Sequence, residues 1–173
     1  NSFGGSRYRL ALHSAQGRVA ELNERSTAIA RAVADEALER TGREILVAGD
    51  IGPTGELFDP LGPLTIDEAT EAFHDQATAL AAGGADCIWV ETVSSTDELQ
   101  AAVAGAGRTG LPVVCTLTFD TQGRTMMGVT PAQVVEVCSS GLDPAPVAYG
   151  ANCGLGPADL VATLVSMADA GAP

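Results

Sequence analysis

Apolar residues alternate along this chain between two periods. Over residues 18–41, Val19, Leu22, Ile29, Val33 and Ala37 recur at separations of three to four and their multiples, with Glu and Arg between them. That spacing predicts an amphipathic helix, closed by Gly42 as its C-cap. "EILVAGDIG" follows as a short, almost wholly apolar strand ending at Gly49-Asp50. "PTGELFDPLGPL" is dense in Pro and Gly and reads as a loop. Thr65-Ile66-Asp67-Glu68 has the form of a capping box and opens a helix to about Ala82, stopped by Gly83-Gly84. "ADCIWVET" is the next strand, and Ser95-Thr96-Asp97-Glu98 a second capping box, opening a helix to about Ala106. "LPVVCTLTF" is a third strand. The turn "DTQGRTMMG" leads to Thr130-Pro131, an N-cap with proline at the first helical position, and a helix to about Ser139. "PVAYGANC" is a fourth strand, and Pro157 begins a last helix to about Ala170.

The unit strand–loop–helix thus occurs four times. Strands that are apolar throughout are buried on both faces, which marks parallel strands covered by helices. Right-handed βαβ units of this kind build either an open doubly wound sheet or a (β/α)8 barrel. No Gly-x-Gly-x-x-Gly follows a strand, which weakens the dinucleotide-binding alternative. No linker or composition break divides the chain, so residues 1–173 read as one domain.

Composition narrows the partners. At 173 residues and 46% hydrophobic, the chain can bury a real core. Its net charge of −13 repels phosphate backbones, so nucleic acid is not an expected partner. No apolar run approaches the length of about 18 residues that spans a bilayer, so no membrane partner is expected either. All nine basic residues are arginine, which excludes lysine Schiff-base chemistry and a P-loop lysine within these residues. The four cysteines, Cys87, Cys115, Cys138 and Cys153, form no Cys-x-x-Cys pair. Their spacing does not resemble a small secreted disulfide scaffold, so free thiols or ligands in a reducing cytoplasm are expected. The chain begins at Asn1 with no initiator Met, and the numbering is expected to start inside a longer protein.

In either parallel architecture the chemistry sits at the carboxyl ends of the strands. Those positions are Asp50 in "GDIG", Glu91-Thr92 in "VETV", Thr118-Phe119 in "TLTF" and Asn152-Cys153 in "GANCG". Asn1-Ser2-Phe3 reads as the tail of an earlier strand. One acid, one cysteine and several small polar groups then converge on one rim, as on the floor of a small polar substrate site. The residues alone leave alternatives open. Cys153 could be a structural thiol or a ligand. Glu91 could meet a neighbouring helix or arginine, and Asp50 could cap a turn or reach the site. Cys87, Cys115, Cys138 and Trp89 read as core. His13 and His74 sit in helical stretches as surface or packing residues, and Met126-Met127 lies in a loop.

Five segments, "NSFGGSRYRL", "VAGDIGPTGELFDPLGPLT", "GGADCIWVETVSS", "LPVVCTLTFDTQGRTMMGVTP" and "GANCGLGP", together resemble the homocysteine S-methyltransferase family. The resemblance spans essentially the whole chain and implies part of a (β/α)8 TIM barrel, running from the end of strand two through helix six. Strand one and strands seven and eight would then be missing from residues 1–173. It implies zinc-dependent methyl transfer to the thiol of homocysteine, giving methionine. Cys153 would be one zinc ligand, with two further cysteines, an adjacent pair in a Gly-Gly-Cys-Cys-Gly segment, expected outside these residues. Glu91 would hold the homocysteine amino group, with Asn152, Thr118 and Asp50 as further substrate-binding positions. No catalytic group beyond the metal site is implied. The methyl donor is left as methylcobalamin, S-methylmethionine or another methyl compound. Betaine is disfavoured by Gly4, where betaine-using members carry an aromatic residue able to face a quaternary ammonium. Cobalamin as methyl carrier, and a homo-oligomer or a cobalamin-binding module as partner, stay open. So do two other readings: a zinc-free barrel enzyme using Asp50 and Glu91 as acid and base, and a non-catalytic partial barrel. These residues alone are expected to be inactive and poorly stable, because a barrel cut after its sixth helix leaves an open parallel edge.

Overall fold

The computed structural model describes residues 1–173. A short helix α1 (Arg7–Ala11) and a 3-10 turn (Gln16–Arg18) precede the long helix α2 (Val19–Thr41). Then strands and helices alternate: β1 (Ala48–Ile51), α3 (Ile66–Ala82), β2 (Cys87–Val93), α4 (Thr96–Gly107), β3 (Val113–Leu117), α5 (Pro131–Glu136), β4 (Ala148–Ala151) and α6 (Pro157–Asp169). The helix expected to run to Ser139 instead widens at Val137–Gly141 into a π turn. His13 lies in the turn after α1, not in a helix; Ser14, at φ +54°, reverses the chain there. His74 does lie on a helix, α3, with Nδ1 3.2 Å from the Gly105 carbonyl of α4.

All four strands are parallel and lie in sequence order β1-β2-β3-β4. Right-handed crossovers in unbroken order place every connecting helix on the same face of the sheet. A doubly wound sheet needs the order to reverse, so this arrangement is the arc of a barrel. The helix-side face carries Ile51, Ile88, Val90, Val113, Cys115 and Leu117, which pack with Phe73, Leu80, Leu99 and Val103 into one buried core. Small residues let the helices approach. At Gly49 a Cβ would stand 2.9 Å from the Leu80 Cβ, and at Gly105 it would stand 2.5 Å from the Thr70 carbonyl oxygen.

The other face departs from the expectation of strands covered on both sides. Trp89, read from the sequence as core, is 41% exposed. It pairs in register with Asp50 and alternates with the buried Ile88 and Val90, so it points away from the helices. Beside the carboxyl end of β1, Ser2 Oγ donates to the Asp50 carbonyl (2.8 Å) and Gly52 N to the Phe3 carbonyl (3.1 Å).

Four helices carry a side-chain N-cap, at Ser6, Thr65, Ser95 and Thr130, and two of the four form a complete capping box. Thr65 and Glu68 form the complete box, with Glu68 N donating to Thr65 Oγ1 (3.2 Å) and Thr65 N to Glu68 Oε2 (3.1 Å). Thr130 and Gln133 form another, with Pro131 at the first helical position. At α4, Ser95 accepts from Glu98 N (3.2 Å), but the Glu98 carboxylate does not return the bond; it reaches across to Thr54. Replacing Thr65 by alanine removes one acceptor from an N-terminus and is expected to lower stability by about 1 kcal/mol. Urea denaturation of the two proteins, compared at constant slope, measures it.

Candidate functional site

The site begins with an irregularity in β2. The strand pairs Val90 with Cys115 and resumes at Val93 with Leu117, so Glu91 and Thr92 oppose Thr116 alone. This bulge re-aims both side chains at the strand's carboxyl end. Thr92 takes φ +62°, a left-handed conformation that costs a β-branched residue about 1–3 kcal/mol. Cys153, just beyond β4, is likewise left-handed at φ +54°. Strained backbone at the ends of β2 and β4, which flank β3, is held by bonds that cross from one to the other.

Asn152 supplies those bonds. Its Oδ1 accepts from Thr92 N (3.1 Å), and its Nδ2 lies 2.7 Å from Thr92 Oγ1, 3.1 Å from Glu91 Oε2 and 3.4 Å from Cys153 Sγ. A carboxamide has two N–H donors, so three acceptors share them. The carboxamide is therefore occupied in bracing Glu91, Thr92 and Cys153 against one another. Thr118, 8% exposed, accepts from Gly154 N at Oγ1 (3.3 Å), while its own N donates to the Val93 carbonyl (3.1 Å). It braces the same loop from the β3 side.

Asp50 completes the group from β1. Burial, and then the neighbouring Glu91 carboxylate, push its pKa up from 3.8 to about 7. Its Oδ1 is buried with no hydrogen-bond partner, as is Thr116 Oγ1. A raised carboxyl pKa means the folded protein keeps a proton that the unfolded chain has lost. Stability should therefore fall as pH rises from about 4 to about 7 and be flat above, as far as this group contributes. Asp50→Asn is expected to remove that slope, read as thermal midpoints of both proteins across the same pH range.

Among the thiols only Cys153 is exposed. Cys115 and Cys138 are buried with their sulfurs 3.9 Å apart, and Cys87 is half-buried, its pKa raised first by burial. No three His, Cys, Asp or Glu side chains are grouped so as to hold a metal ion. The chain offers one accessible sulfur donor at the rim and does not by itself form a metal centre.

Beside this rim lies a cavity of about 460 Å³, walled by the loops after β1, β2 and β3 and sharing Thr92 and Thr118 with the site. Phe58, Leu61, Met126 and Met127 give it apolar surface, and Glu98 reaches its wall. Two of these features escape sequence reading. Thr92 is visible as a strand-end position, but nothing local announces its strained backbone. Glu98 reads as half of a capping box, and its actual partner Thr54 is 44 residues away. No helix is long and apolar enough to cross a membrane.

The family model for homocysteine S-methyltransferases matches residues 1–173. The methionine synthase of Mycobacterium tuberculosis (strain ATCC 25618 / H37Rv) is 34% identical over 167 residues, covering 92% of this chain and 14% of that protein. That of Mycobacterium leprae (strain TN) is 32% identical, covering 92% of this chain and 13% of its own length. Among solved structures, the apo form of the homocysteine methyltransferase MmuM from Escherichia coli superposes with a TM-score of 0.70 at 25% identity, covering 85% of this chain and 54% of that one. Its oxidised form gives 0.68 at 21% identity, a likeness of fold alone. The chain thus spans about half of these structures and a far smaller share of the methionine synthases.

Proposed function

Because the chain belongs to the homocysteine S-methyltransferase family, we propose that it supplies the substrate-holding arc of an enzyme that methylates the thiol of homocysteine to give methionine. In this reading residues 1–173 run from the end of strand two to helix six of a (β/α)8 barrel. The observation that carries it is the Asn152 carboxamide, which contacts the Glu91 carboxylate and the Cys153 sulfur at once. Homocysteine carries an ammonium group and a thiol a few bonds apart. A carboxylate and a metal-binding sulfur held on one side chain match that pair.

Each residue then has a task. Glu91 accepts a charge-assisted hydrogen bond from the substrate ammonium. Asn152 and Thr118 fix the two loop ends that carry Glu91 and Cys153. Asp50, half-buried beside Glu91, is a further substrate-binding position on the same side of the rim. Cys153 is one ligand of a zinc ion whose other donors lie outside the groups these residues bring together. Bound zinc would keep the substrate sulfur as thiolate, the form that attacks a methyl group. The S–CH3 bond forms as the bond from methyl to the donor's leaving group breaks, and that electron pair leaves with the donor. The cavity of about 460 Å³ beside the rim is where the donor, methylcobalamin, S-methylmethionine or another methyl compound, would approach. A cobalamin-binding module is the partner expected if the carrier is cobalamin, and a reducing cytoplasm suits a working thiolate.

The test is methionine formation by the full-length protein containing this chain, from homocysteine with each donor in turn, before and after zinc removal. Activity that zinc removal leaves whole would overturn the metal role; no methionine with any donor would overturn the reading. Glu91→Gln, which still accepts from Asn152 but has lost its charge, is expected to raise the homocysteine KM by about tenfold, leaving the donor KM alone.

A further inference from the structure

The loop joining β1 to α3, residues 52–65, forms one wall of the cavity and holds almost no regular structure beyond an isolated bridge between Phe58 and Leu64. A loop of this length keeps its shape only if something ties it down. The hydrogen bonds that leave it are few. Gly52 N donates to the Phe3 carbonyl at its root. At its far end Thr65 caps α3; between the two ends, the ties to other elements run from Thr54, whose N and Oγ1 both donate to Glu98 Oε1, at 2.8 and 2.7 Å. Thr54 Oγ1 in turn accepts from Glu56 N (3.2 Å), so one carboxylate oxygen orders three consecutive residues.

Glu98 belongs to a different wall. It is the third residue of α4, at the end of the loop after β2. It is 5% exposed and Thr54 is 1% exposed. Burial raises the Glu98 pKa, and the bonds from Thr54 oppose that rise. The carboxylate stays buried at a cost, and it has left the local capping position, where Glu68 and Gln133 sit in the other two boxes, to make a contact 44 residues away. A side chain that gives up its local partner for a distant one is serving the distant one.

We propose that Glu98 is a positioning residue that, through Thr54, fixes the β1–α3 loop as the wall of the methyl-donor cavity. Its role as a donor wall rests on the methyl-transfer reading; the clamp itself does not. In the full-length protein, Glu98→Ala is expected to speed hydrogen exchange over residues 53–57 by about tenfold or more, with the β2 and β3 amides unchanged. Methyl transfer to homocysteine, run with S-methylmethionine and with methylcobalamin as probes, is expected to show a donor KM about tenfold higher and a homocysteine KM within about twofold. Glu98→Gln keeps an oxygen where Oε1 stands and should restore both values to near wild type. Unchanged exchange in Glu98→Ala overturns the clamp. Equal damage from Gln and Ala overturns it too, as does a homocysteine KM that rises in step with the donor's. If Glu98→Ala does not fold, the pair Thr54→Val and Thr54→Ser decides: only the valine variant should loosen the loop and raise the donor KM, and equal behaviour refutes the clamp. Absence of methyl transfer in the wild-type protein would remove the donor role while leaving the exchange result to stand or fall separately.

Discussion

Cys153→Ser is expected to strip the full-length protein of its zinc and to lower kcat/KM for homocysteine by more than about 100-fold. Loss of a partner behind a ligand costs roughly 10–100-fold, and loss of the ligand itself should exceed that. Serine preserves shape but not chemistry. Its hydroxyl does not ionise near neutral pH, whereas a thiol with a pKa of about 8.5 gives up its proton readily to a metal. The fold should be indifferent. Cys153 is exposed, contributes nothing to the core, and offers Asn152 Nδ2 an acceptor that a hydroxyl oxygen can replace. Zinc content by atomic absorption, kcat/KM and the thermal midpoint therefore separate the outcomes. Zinc and activity should both collapse, with a thermal midpoint equal to that of the zinc-stripped wild type. Full zinc occupancy in the serine variant would mean that Cys153 is not a ligand, and an unfolded variant would mean that the thiol is structural.

Asn152→Asp is expected to cost on the order of 100-fold in kcat/KM, with most of the loss in the homocysteine KM. The change is nearly isosteric, but it replaces the Nδ2 donor by an oxygen facing Glu91 Oε2 at 3.1 Å and Thr92 Oγ1 at 2.7 Å. A third carboxyl then joins Asp50 and Glu91, where burial first and then Glu91 already push Asp50 up to about 7. The new carboxylate repels the Glu91 carboxylate instead of donating to it, so Glu91 is no longer held in place for an incoming ammonium. Neighbouring carboxylates favour the protonated form of the introduced carboxyl, and once protonated at lower pH it again donates to Glu91. The defect relative to wild type should therefore shrink as pH falls. Asn152→Ala, which removes the donor without adding charge, should be the milder variant at neutral pH. If Asp behaves like Asn, the carboxamide does not hold Glu91. If Ala is worse than Asp, packing rather than charge governs the site.

Both predictions concern residues that stand out in the sequence for different reasons. Asp50, Glu91, Thr118, Asn152 and Cys153 are visible because strands end there, and strand ends are read from local periodicity and from the glycines that stop it. The same local logic locates α3, whose complete capping box at Thr65 spans only four residues. It fails at Ser95, where the identical pattern yields half a box, because a buried carboxylate takes the partners that satisfy it best and Thr54 offers two donors. It fails at Trp89, whose neighbours Ile88 and Val90 suggest core while its own face of the sheet carries no helix.

The order of helices and strands, the parallel pairing and the rim positions are consequences of short-range spacing and can be read along the chain. Sequential strand order, which separates a barrel arc from a doubly wound sheet, is a property of pairing between segments and appears only once they are assembled. So do the bulge at Glu91-Thr92, the brace from Asn152 across about sixty residues, and the departure of Glu98 from its cap. Each is a choice among competing hydrogen-bond partners. Distance along the chain says nothing about which partner a buried polar group will reach; only the packed structure brings the competitors within reach and lets the best-satisfied arrangement win.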